Sequence, residues 1–127
     1  MNIRLTSIPV ADQAHALTFY TQVLGFVKKT DVPLGEHKWL TVVAPNERDG
    51  VELLLEPMSF APAQTYQQAW FEAGIPAAMF HVEDLQQEYE RLLGHGVHFS
   101  VLPTAMGAVR LAVLADTCGN YLQLVQL

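Results

Sequence analysis

Val10-Ala11-Asp12 opens a segment that Leu24-Gly25-Phe26 closes, and this stretch decides how the chain is read. Residues 3–10 are rich in Ile, Leu, Thr and Val and predict a strand. Asp12 is placed to cap a following helix, because its carboxylate accepts from the orphan N–H groups of the first turn. Ala16, Leu17, Phe19, Tyr20, Val23 and Leu24 give that helix one wide apolar face. Gly25 stops it, since glycine takes positive φ without strain, and a strand follows at 26–30. A similar stretch returns as Val82-Glu83-Asp84, followed by Gly94-His95-Gly96-Val97. A strand–helix–strand unit that recurs in each half reads as an internal duplication.

Working outward, strands are expected at 37–44 and 51–56, the latter stopped by Pro57, with a turn at Pro33 and Gly35. Pro9 cannot donate to a ladder, which puts the first strand at an edge or leaves its end unpaired on one side. The second half predicts strands at 75–82, 97–102 (closed by Pro103), 107–114 and 121–127. Its helix is capped by Asp84, with Gln87 completing a capping-box-like pair and Leu85, Tyr89, Leu92 and Leu93 as the buried face. Each half is therefore β-α-β-β-β, with modules at about 1–57 and 75–127. The connection at 58–74 has Tyr66, Ala69, Trp70 and Ala73 at helical spacing, closed by Gly74. It is expected to pack over the domain or against a second subunit.

Composition narrows the function classes. The chain has 127 residues, enough for one domain or two small modules. The net charge of −6 disfavours nucleic acid and anionic membranes as partners. Cys118 is the single cysteine, so no intrachain disulfide forms, which suits a reducing compartment. No apolar run approaches the ~20 residues that span a bilayer, and no secretory signal is visible. A cytoplasmic location is expected. No Ser/His/Asp or Cys/His spacing, phosphate loop or CxxC is present.

The two Val-x-Asp stretches, with Phe19-Tyr20 and Leu24-Gly25-Phe26, resemble the vicinal oxygen chelate superfamily. So does Asp116-Thr117-Cys118-Gly119-Asn120 with Gln123-Leu124, which is similar to the family's Asp-Pro-x-Gly-Asn ending. That superfamily contains glyoxalase I, extradiol dioxygenases, fosfomycin-resistance enzymes and bleomycin-binding proteins. The resemblance covers nearly the whole chain and implies an α+β fold of two βαβββ modules whose curved mixed sheets form a cup.

Catalytic members usually hold one divalent metal, with His or Gln on the first strand, Glu on the fourth, His on the fifth and Glu on the eighth. Those positions fall here on Leu5, Leu53 or Leu54, Ala77 and Gln123. Three are aliphatic and one is a neutral amide, whereas a first-row metal needs about three protein donors. The usual metal site is expected to be absent. A relocated site would draw on His37, Glu52 and Glu56, and His81 is expected to face away from Ala77. His95 and His98 straddle a helix end and read as surface residues.

The candidate ligand-binding residues are Trp39, Leu54, Ala77, Arg110, Tyr121 and Gln123. Trp39 and Tyr121 offer stacking surfaces for a planar ligand, or else core and dimer contacts. Arg110 suits a bidentate carboxylate or phosphate, or else is a solvated edge arginine. Cys118 reads as a packing residue and Asp12 and Asp84 as caps. The expectation is a homodimeric protein that binds a small organic ligand without metal or other cofactor, resembling the bleomycin-resistance branch. The alternative is a divergent glyoxalase-like lyase or extradiol-type dioxygenase with relocated Zn, Ni, Mn or Fe ligands. A third reading is a dimeric accessory module with no tight ligand.

Overall fold

A computed structural model describes residues 1–127. The chain divides into two compact units, Met1–Thr65 and Tyr66–Leu127.

The N-terminal unit contains β1 (Leu5–Val10), α1 (Gln13–Thr18), β2 (Val27–Leu34), β3 (His37–Val43) and β4 (Glu52–Pro57). Its sheet runs in the order β1-β4-β3-β2, with β1 parallel to β4 and the other neighbours antiparallel. Asp12 caps α1 by accepting from the His15 N–H at 2.8 Å. The helix does not stay α-helical to Gly25 as the sequence predicts. Phe19–Val23 widens into a π-helical turn, in which the Leu24 N–H bonds the Phe19 carbonyl five residues back. Gly25 ends it at φ +90°, a value that favours glycine.

By register, Ile8, Val10, Leu40, Val42, Leu53 and Leu55 share one side of this sheet. All six are buried, together with Ala16, Phe19 and Tyr20 of the helical segment. This side is the core of the unit, and α1 packs on β3 and β4 over it.

The second helix, α2 (Ala61–Glu72), straddles the division between the units. The C-terminal unit continues with β5 (Pro76–His81), α3 (Leu85–Gly94), β6 (Phe99–Met106), β7 (Val109–Ala115) and β8 (Tyr121–Gln126). Its sheet order is β5-β8-β7-β6, again with the first strand parallel to the last. The two halves thus share one topology, as the repeat implies.

Asp84 caps α3 through the Gln87 N–H, and the Leu85 N–H donates to Gln126 Oε1 at 2.8 Å. Leu85 and Leu92 are buried over Ala112, Leu114, Leu122 and Leu124, while Tyr89 meets Phe99 edge-on. Leu93 lies at the exposed margin of α3, outside the core.

The proline expectations need correction. β2 runs through Pro33 to Leu34, and the turn sits at Gly35 and Glu36. β6 likewise runs through Pro103. Both are edge strands, where a missing N–H leaves no ladder bond unmade. β1, with Pro9, is also an edge strand.

Candidate functional site

The side of the N-terminal sheet opposite its core is open only in part, with Thr41, Val43 and Leu54 buried on it. Register places Leu5, Ser7, Trp39, Thr41, Val43, Glu52 and Leu54 on it, with Thr30 and Val32 from β2. Leu5, Val32 and Trp39 are exposed although apolar, while Leu54 and Thr41 are buried. Of the two expected fourth-strand positions, Leu54 shares the side of Leu5 and Leu53 faces the core.

One polar arrangement crosses this face. The ladder slips between Lys28 and Thr30, a β-bulge, and the Thr30 N–H turns onto Thr41 Oγ1 at 3.2 Å. The Thr41 hydroxyl in turn donates to Glu52 Oε1 at 2.7 Å. Sequence reading missed this pair. Thr41 sits in an apolar strand and reads as core, and only the register brings it diagonally against Glu52.

A pocket of about 330 Å³ lies at one end of the same sheet, lined by Val10, Asp12, Gln13, His37, Met58 and Ser59 among others. Its polar groups are largely committed to the fold. Gln13 Nε2 donates to the carbonyls of Lys38 and Leu55, and its Oε1 accepts from the Lys38 N–H.

In the C-terminal unit the side away from α3 carries Met79, His81, Val113, Tyr121, Gln123 and Val125 by register, of which Val113 and Val125 are buried. Ala77 lies at a bulge in β5 and is exposed. The expectation that His81 faces away from Ala77 fails. Side chains alternate with a period of two, so 77, 79 and 81 fall on one side, and all three are exposed. Arg110 pairs with Gln126 and shares the side of Ala112 and Leu114, which is the α3 side, so the structure separates it from Tyr121 and Gln123. Tyr121 stacks on Phe71 of α2, with ring centroids 4.4 Å apart and planes 3° from parallel. One face of its ring is therefore covered.

The Asp116–Asn120 turn is a closed structural device. Buried Asp116 accepts from the N–H groups of Cys118 and Asn120 and from the Asn120 side chain. Gln67 of α2 donates to the Cys118 carbonyl and to Asn120 Oδ1. Cys118 is buried, which fits a packing role. Thr117 stands at φ +63°, which a proline ring cannot adopt, so the turn accommodates the departure from Asp-Pro.

The residues at the usual metal positions do not fit a divalent metal. Leu5, Leu54 and Ala77 have no donor atom, and Gln123 offers one neutral oxygen. In neither unit do three His, Cys, Asp or Glu side chains gather closely enough to hold an ion. The relocated set does not converge either. Extending the β3–β4 register puts His37 level with Met58, about 20 Å along the strand from Glu52 at ~3.3 Å per residue. Glu56 lies between them and is exposed.

The model of the Glyoxalase/Bleomycin resistance protein/Dioxygenase superfamily matches residues 2–124. The chain belongs to this superfamily. It is 54% identical over 126 residues to the uncharacterised protein YurT of Bacillus subtilis (strain 168), covering 99% of each chain. Among solved structures it is similar to UcmS2, with 31% identity, a TM-score of 0.87, and coverage of 100% of this chain and 98% of that one. It is also similar to TnmS3, an antibiotic binding protein from Streptomyces sp. CB03234. There the identity is 26% and the TM-score 0.76, with 99% of this chain and 95% of that one covered. At the positions that the resemblance assigns to the metal, this chain has Leu5, Leu54, Ala77 and Gln123.

Proposed function

We propose that the chain binds a small organic molecule against the open part of its N-terminal sheet, without a resident metal. The observation that carries this reading is the open face around Trp39, where Leu5 and Val32 stand exposed and the family's ligand position holds Leu54. Exposed apolar surface of this kind marks a binding site for a ligand or partner. The likeness to an antibiotic binding protein supports the ligand.

Thermal unfolding with a panel of planar aromatic antibiotics, each run with and without EDTA, tests the reading. A ligand that binds only the folded chain stabilises it by mass action, about 2.7 kcal/mol at a hundredfold excess over Kd. The expected result is a raised midpoint that EDTA leaves unchanged. A rise abolished by EDTA, or metal-dependent turnover of a glyoxalase or catechol substrate, returns the protein to the lyase and dioxygenase class.

A cytoplasmic homodimer completes the proposal. Leu34, Leu102 and Met106 are large apolar side chains left in solvent by one chain alone, and a second copy would cover such groups. Sedimentation equilibrium should return twice the 14.1 kDa chain mass. A 14.1 kDa species at micromolar concentration would contradict it.

A further inference from the structure

Glu52 is a half-buried carboxylate set into the open side of the N-terminal sheet. Its neighbours on that side are Leu5, directly across in β1, and Leu54, two residues on in β4. A carboxylate among such groups loses hydration and needs a partner. The fold gives it one neutral partner, Thr41 Oγ1 at 2.7 Å on Oε1. Oε2 takes no hydrogen bond from the protein. The ion pairs of the chain join Lys28 and Lys38 to Asp31, Lys29 to Asp49, and Arg91 to Glu88; none reaches Glu52.

The support behind Glu52 is built rather than incidental. Thr41 is fully buried, and its oxygen already accepts from the Thr30 N–H. With that lone pair engaged, the hydroxyl proton is free to point at Glu52, which fixes the rotamer of the carboxylate. The Thr30 N–H is available because β2 bulges between Lys28 and Thr30. Bulges recur beside functional sites, where they re-aim a group.

We infer that Glu52 is the polar anchor of the open face and receives a protonated amine carried by an otherwise apolar organic ligand. This rests on the binding reading above and adds the charge of the ligand to it. An alkylammonium supplies both a donor for Oε2 and the missing counter-charge, and a charge-assisted hydrogen bond in partly apolar surroundings outweighs a neutral one. The net charge of −6 draws a cation and repels an acid.

The test uses three probes with one ring system: 2-(aminomethyl)naphthalene, 2-(hydroxymethyl)naphthalene and 2-naphthoic acid. Binding to the full chain is followed by quenching of tryptophan fluorescence, since Trp39 lies on the same face, and by calorimetry. The wild-type chain should bind the amine about tenfold more tightly than the alcohol, and the acid most weakly. Glu52→Gln should remove the preference for the amine and leave the affinity for the alcohol unchanged. Thr41→Val should reduce the preference in part, because it frees the rotamer while keeping the charge. Equal binding of amine and alcohol by the wild-type chain, or an amine preference that survives in Glu52→Gln, overturns the assignment of Glu52 alone. Failure of all three probes to bind overturns the binding reading and this inference with it. The wild-type comparison stands even where a variant does not fold.

Discussion

Gly119 has the least freedom of any residue near the Asp116–Asn120 turn. Its φ is +95°, and a Cβ there would lie 2.5 Å from Oε1 of Gln67. Gly119→Ala should therefore strain the backbone and displace the Gln67 amide from Cys118 and Asn120. The expected loss is about 2–3 kcal/mol, read from urea denaturation. The Asp-x-x-Gly-Asn pattern was legible in the sequence because its residue types are those the turn demands. Asp31 makes a different kind of prediction. The Lys28 hydrogen bond chiefly lowers its pKa, burial opposes this, and Lys38 adds to the lowering. With the folded value depressed, the contribution to stability is present above the ordinary carboxylate range and fades as pH falls through the folded value. Lys28→Met should raise the Asp31 pKa toward its ordinary value in an NMR titration, and an unmoved pKa would remove Lys28 as the cause. Which side of its sheet Arg110 occupies was not legible at this scale. The side a strand residue faces depends on parity, and parity is fixed by pairing with a neighbour far away in sequence.

Helix starts were the most legible elements, since a cap is a local interaction. Asp12 and Asp84 both accept from the N–H three residues on. Asp84→Ala should cost about 1 kcal/mol, measured as a fall in the urea midpoint, while Asp84→Asn should cost little. A full effect from the asparagine variant would mean that charge, not hydrogen bonding, holds the cap. Strand ends were less legible. Pro33 and Pro103 are ladder-breaking residues in isolation, yet each sits within a strand because that strand is at an edge. Edge position is a property of the sheet and cannot be read from the strand itself. The π-helical turn at Phe19–Val23 escaped for a related reason. The sequence shows a continuous apolar face, whereas the widening appears only in the bonding, Leu24 N–H to Phe19 carbonyl. The bulge that orients Thr41 toward Glu52 belongs to the same class, for no residue at Lys28–Thr30 announces it.

At the scale of the whole molecule the duplication was plain, because two copies of a strand–cap–helix–stop pattern leave few topologies open. The sheets repeat one order, with the first strand of each parallel to its last. What a scaffold shared by lyases, dioxygenases and binding proteins does is set by the side chains grafted on it. The resemblance assigns Leu5, Leu54, Ala77 and Gln123 to the positions where a metal enzyme of this superfamily usually carries its His, Gln or Glu ligands. Binding without that metal is what separates the proposed function from the enzymes of the superfamily. Elemental analysis of untagged protein, expressed with Fe, Mn, Ni, Co and Zn supplied and then dialysed, tests it most directly. Far less than one equivalent of any of the five per chain is expected. One tightly held equivalent that survives dialysis, and is lost on replacing Glu52 or Glu56, would contradict it.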